Sequence, residues 1–212
     1  PAQYPVWILY CSEARRGFCP LGPRAARRRP SRMSWCCWNA GWAEKEDEPV
    51  PLAPVGLSSH GPEVKVSGRN ICGTGSVLGD SPVLQDKGYF EAKVLSPGSF
   101  AIGVAIKDSP LDGVLSPDKA ANAWTITHNQ SGVGPVAAGD VLGCAIDQAD
   151  YPVQVYFYKG STLVHQVSGI RGEVLPVFSV ADGAELEANF GHSEYAFMPN
   201  GFQGLIRVVS ML

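Results

Sequence analysis

Between residues 139 and 166 the polar and apolar positions fall into three consecutive strands with turns between them. Val141 to Asp147 is apolar almost throughout, the signature of a strand covered on both faces. After a break at Gln148 to Pro152, Val153, Val155 and Phe157 alternate with Gln154, Tyr156 and Tyr158, the period of two of a half-buried strand. Gly139-Asp140 opens the run and Lys159-Gly160 turns it into Thr162 to His165, so the segment predicts a meander. The same patterning recurs on both sides. Val64 to Gly79 predicts two short strands about Ser67-Gly68. Phe90, Ala92 and Val94 alternate with Tyr89, Glu91 and Lys93, and the run Phe100 to Ile106 follows the turn Pro97-Gly98, which predicts a hairpin. Ala101, Gly103 and Ala105 are small, as expected where a facing sheet comes close. Trp124 to His128 reads as strand and the residues after it as loop. Glu173 to Val180 and Glu185 to Phe190 are expected to pair across Ala181-Asp182-Gly183, because Asp-Gly is a strong hairpin signal. The longest departure is residues 107–123, where Ser116-Pro117-Asp118 predicts one helical turn with Pro at its first position. Short strands without a long helix predict an all-β fold, a sandwich of two antiparallel sheets.

Composition supports this picture, since 24 Gly and 17 Pro among 212 residues suit frequent turns. Charge is uneven along the chain. Residues 1–32 hold seven Arg against Glu13, which leaves 10 basic and 19 acidic groups in residues 33–212, a net charge of about −9. Such a body repels phosphate backbones, so nucleic acid is not an expected partner. No run approaches the roughly 18 apolar residues of a membrane span. The opening PAQYPVWILYC is short and lacks a basic start, so no secretory signal is expected and the six Cys are read as thiols of a cytoplasmic protein. The sequon Asn129-Gln130-Ser131 would then stay unused.

Residues 1–61 are expected to be tail and linker, and 62–210 the folded domain. Residues 1–32 lack periodicity and are followed by Met33, read as the true start; the alternative is an Arg-rich transit peptide. From Met33 the chain runs Met-Ser-Trp-Cys36-Cys37-Trp38, and adjacent thiols beside Trp suit S-acylation and peripheral membrane contact. The competing reading is a tail with two incidental cysteines. Glu44 to Gly61 is acidic, then carries Pro49, Pro51 and Pro54, and reads as linker.

Several segments together resemble one family. YFEAKV (89–94), FAIGVA (100–105), Trp124, GDVLGCAID (139–147), VYFYKG (155–160), LPVFS (175–179) and ANFG (188–191) follow in order the strand motifs of the SPRY domain. VSGRNICGTGSVL, SGIRGEVLPV and FMPNGFQGLI extend the resemblance to small single-domain members over residues 64–207. The resemblance implies a bent sandwich of two antiparallel sheets that serves as a protein-interaction module without catalytic apparatus. It departs in residues 107–138, and no family ligand residue carries over.

Catalytic and metal motifs are scarce. No G-x-S-x-G occurs, and GTGSVLG (73–79) lacks the Lys-Ser/Thr of a phosphate-binding loop, so its glycines read as turn positions. The histidines and the cysteines Cys72 and Cys144 stand singly, without metal-ligand spacing, and no cofactor is expected. Asp140 is expected to cap its turn, and Phe190 to be buried at the end of the last core strand. Sandwiches present recognition residues in loops at one edge, which makes Asp108, Leu111, Trp124, Asn129, Tyr151 and Arg171 the partner-binding candidates. Trp124 is equally a core residue on this reading, and Arg171 a loop strut. The expected function is a monomeric, non-enzymatic module for a protein or peptide partner, with a glycan-binding sandwich as the alternative.

Overall fold

The computed structural model describes residues 54–117 and 121–207, which form strands and, among the described residues, no helix. The strands are β1 (Leu57–His60), β2 (Val64–Ser67), β3 (Asn70–Gly73), β4 (Gly75–Gly79), β5 (Lys87–Ser96), β6 (Ser99–Ala105), β7 (Ala123–Thr127), β8 (Val141–Asp147), β9 (Gln154–Lys159), β10 (Thr162–Ser168), β11 (Leu175–Ala181), β12 (Glu185–Asn189) and β13 (Gln203–Gly204). One sheet has the order β1-β4-β11-β6-β7 and the other β10-β9-β8-β5-β12-β3-β2, with β13 parallel to the start of β5. All other pairings are antiparallel, so the fold is the two-sheet antiparallel sandwich that the patterning predicts. The meander is β8, β9 and β10, lying side by side. Its second turn is Gly160-Ser161, closed by the pair Thr162 and Lys159, with Gly160 at φ 55°.

Between the sheets Phe90, Phe178 and Phe190 meet with ring centroids 5.5 to 5.8 Å apart, at the edge-to-face and tilted angles that aromatic quadrupoles favour. Ile71, Ile102, Ile126, Leu142, Phe157 and Leu186 complete the layer.

Two expected hairpins are absent. β5 pairs with β8 and β12, and β6 with β11 and β7, so Pro97-Gly98 is a corner between the sheets. Asp182-Gly183 likewise carries the chain from β11 in one sheet to β12 in the other. Asp182 has φ 52° and Gly183 φ 80°, the backbone that Asp-Gly favours, and Ala184 N–H donates to Ala181 O at 3.0 Å. The turn chemistry was read correctly; the pairing was not. The two corners touch, because a Cβ on Gly98 would lie 2.5 Å from Ala184 N and 2.8 Å from Asp182 O.

The small residues Ala101, Gly103 and Ala105 serve a different purpose from the one expected. They lie on the outer face of their sheet, and what crosses them is a strap, residues 106–117, whose Leu111 and Leu115 pack with Leu78, Ala105, Ala123 and Val177. Buried hydroxyls pin the strap down. Ser76 Oγ donates to Gly113 O and lies 2.6 Å from Ser179 Oγ, Leu115 N–H donates to Ser179 Oγ, and Thr125 Oγ1 donates to Leu115 O. Ser116 and Pro117 are not helical, and Asp118 lies outside the described residues.

The outer face of the other sheet is covered by residues 190–206. Tyr195 packs on Tyr89, Phe197 on Tyr158 and Phe202 on Tyr156. Residues 54–61 belong to the body rather than to a linker: Val55 is buried, β1 pairs with β4, and Pro54 bridges Ile206.

Candidate functional site

The two corners form the floor of a cleft at one end of the sandwich. The register brings them together, since Ser99 and Ala181 are the last pair of β6 and β11. The walls come from the end of β7, with Thr127, His128, Asn129 and Gln130, and from the end of the strap, with Val114, Ser116 and Pro117. The cleft encloses ≈ 720 Å³ and adjoins a second hollow of ≈ 520 Å³ that adds Pro97, Pro135 and Val136; Ser99, Phe100, His128 and Asp182 border both. That is the size of a ligand pocket, and it is concave.

Its walls are held from behind. His128 N–H donates to Phe100 O at 3.1 Å, and its ring sits 5.8 Å from the Phe100 ring. Gln130 accepts from Thr127 N–H and reaches His165 Nε2 at 3.0 Å, tying the loop after β7 to β10 in the opposite sheet. Val133 is buried in the core. Asp140 accepts from Ala137 N–H at 3.0 Å and pairs with Lys159 at 3.2 Å, while Lys159 Nζ also donates to Pro135 O. The Ala137 amide foremost, helped by Lys159, holds the Asp140 carboxyl below its ordinary range against the opposing effect of burial. Asp140 thus caps its turn as expected.

Two lining groups are left free. Thr127 Oγ1 donates to Asn129 Oδ1 at 2.9 Å, which leaves the Asn129 amide N–H groups to a ligand. The exposed Asp182 carboxylate has no hydrogen-bond or ion-pair partner among the described residues.

The six sequence candidates do not converge. Asn129 is the one at the cleft. Asp108, Tyr151 and Arg171 are exposed at the opposite end, following β6, between β8 and β9, and between β10 and β11. Tyr151 is 81% exposed there; Leu84 and Ile206 are further exposed apolar residues, and Gln148 and Gln85 tie the chain at 83–85 to its neighbours. Leu111 is a packing residue of the strap, and its carbonyl accepts from Ser76 N–H. Trp124 lies on the inner side of β7, partly buried against the core. Cys36 and Cys37 lie outside the described residues. Ser99, Phe100 and Asp182 were missed because their turns were read as hairpins, Ser116 because it was read as a helix start, and His128 because it was read as the end of a strand. The outward faces gave no signal either: β8 turns small Gly143 and Ala145 to the same side as Glu91 and Tyr89, yet pairs directly with β5.

A second polar cluster is structural. Glu91 is 3% exposed, and its carboxylate accepts from Tyr89 O–H, Ala196 N–H and Phe197 N–H, each at 3.0 Å. Three donors satisfy the buried charge and fasten residues 190–206 to the sheet. Burial first, then the Glu91 charge, push the Tyr89 and Tyr195 phenols well above their ordinary range, so both stay protonated and Tyr89 remains a donor to Glu91.

The profile of the SPRY domain family matches residues 87–193. Proteins named SPRY domain-containing protein 7 from Mus musculus and Homo sapiens are 31% identical over 184 residues, covering 81% of this chain and 92% of theirs. The Gallus gallus protein of that name is 30% identical over 187 residues, covering 82% and 93%. Among solved structures, the crystal structure of the TRIM65 PSpry domain aligns with TM-score 0.47 and 15% identity over 64% of this chain and 89% of that one. By the profile match and the extent of its similarity to these relatives, the chain belongs to the SPRY domain family.

Proposed function

We propose that this protein is a monomeric, non-enzymatic adaptor of the cytoplasm that holds a peptide or protein partner in the corner cleft. SPRY domains are in general protein–protein interaction modules. The observation that carries the reading is the cleft itself: a concavity whose walls are braced by buried contacts, while Asn129 and Asp182 keep unused hydrogen-bonding capacity. Side chains already positioned for a ligand reduce the entropy lost on binding. Membrane recruitment through acylated Cys36 and Cys37 belongs to the same proposal, and hydroxylamine-sensitive labelling that survives a Cys36→Ser/Cys37→Ser double variant would remove it.

The cleft is tested with a photo-crosslinking amino acid placed at Asn129 or at Tyr151 in the full chain in cells. Partner adducts are expected from position 129. Adducts from 151 alone would move recognition to the opposite end.

A further inference from the structure

We infer that the partner segment is cationic: an extended peptide whose Lys or Arg side chain is received by Asp182. This rests on the cleft reading above and adds the chemistry of the occupant.

The lining is selective in charge. Asp182 is its one formally charged side chain among the described residues, and the remaining polar lining consists of the neutral hydroxyls and amides of Ser99, Ser116, Thr127, Asn129 and Gln130 together with His128. The nearby cation Lys159 is engaged by Asp140 and Pro135 O and does not border the larger cleft. Arg69, Lys87 and Arg207 are likewise paired, with Glu187, Asp147 and Asp80. Among the described residues Asp182 therefore has no ion-pair partner, in a body whose net charge is negative. An anionic peptide would meet that field and, among the described lining residues, no cation. A basic one gains an ion pair and is steered inward.

Geometry also favours an extended main chain. Asn129 N–H groups and the Ser99 and Ser116 hydroxyls are available to peptide carbonyls, while Phe100, Val114 and Pro117 offer apolar contact between them. The second hollow, sharing Asp182, lets the peptide continue past the corner.

The test pans a random twelve-residue peptide display library on the full chain, then measures synthetic copies of enriched peptides by fluorescence anisotropy. Variants are Asp182→Asn, which suits the positive φ, Asn129→Trp to fill the cleft, and Asp150→Asn at the opposite end as a control for net charge. Enriched peptides should carry Lys or Arg, lose binding with Asn129→Trp, weaken roughly fivefold with Asp182→Asn, and be unchanged with Asp150→Asn. Acidic or uncharged peptides that still depend on Asn129 would keep the cleft as the binding site and overturn the cationic partner. Equal weakening by Asp182→Asn and Asp150→Asn would reduce the preference to bulk attraction and overturn it too. Enrichment insensitive to Asn129→Trp, or no enrichment, would overturn both readings.

Discussion

Glu91 sits mid-strand among apolar residues with three donors and no cation, and its role follows from what removing the charge would do. In Glu91→Gln the new amide group turns at least one N–H toward an N–H or O–H donor, leaving a buried polar group unsatisfied. The expected loss is about 1–3 kcal/mol, a fall in Tm of roughly 3–10 °C for a domain of this size. Tyr89→Phe removes one donor and leaves the carboxylate with two, so its melting temperature should fall less. Equal shifts would show that Glu91 does not organise the cluster. Asp140 gives a pH signature. Its folded carboxyl is held below the ordinary value near 4, so its contribution is fully present above that value and is lost as pH falls through the lower folded one. The stability advantage of wild type over Asp140→Asn, measured by urea titration, should therefore be constant at neutral pH and shrink on acidification below about pH 4. At the scale of single residues the sequence was readable where a role is local. The Asp140 cap and buried Phe190 needed only neighbours in the chain, whereas the role of Glu91 was invisible because its two amide donors lie more than a hundred residues away.

Strands were the most legible elements, because a period of two is imposed by the backbone whatever the sheet does with it. Connections were less so. Asp-Gly fixes two positive φ values, and those suit a tight reversal equally well when the reversal changes sheets, so neither corner was distinguishable by turn chemistry alone. The strap was hidden for a similar reason: residues 107–117 have no periodicity of their own and borrow their order from hydroxyls on three strands of the sheet beneath. Ser179 holds the centre of that arrangement. Ser179→Ala would strand the buried Leu115 N–H and deprive Ser76 of a partner, for an expected cost of about 1–3 kcal/mol. Hydrogen exchange should report it locally, with faster exchange at the Leu115 amide while the Phe178 amide, in the β11 ladder, keeps its protection. Because Val114 and Ser116 on the strap line the cleft, the same variant should weaken partner binding without touching a cleft side chain.

For the whole molecule, the domain is larger than its most recognisable part. The family profile spans residues 87–193, yet the sandwich needs what lies on either side. A fragment cut to those limits lacks β1 and β4, so β11 loses its neighbour on one side and buried Val77 and Leu78 are gone from the two faces of the sheet. It also lacks residues 194–207, so Glu91 loses both amide donors, Tyr89 and Tyr158 lose the rings that cover them, and β5 loses β13. The ends of the body are themselves joined: Gly56 N–H donates to Asp80, which pairs with Arg207, and Pro54 bridges Ile206. Burial of a Val or Leu side chain is worth about 1.5–3 kcal/mol, and natural domains hold only about 5–15 kcal/mol in reserve, so these losses exceed what the fragment retains. Residues 87–193 expressed alone should show no cooperative thermal transition and should bind a hydrophobic dye. Residues 54–207 should melt cooperatively, because every buried strand partner and the Glu91 donors are present. A cooperative transition in the shorter fragment would mean that β1, β4 and the C-terminal clasp are accessories to the sandwich rather than part of its core.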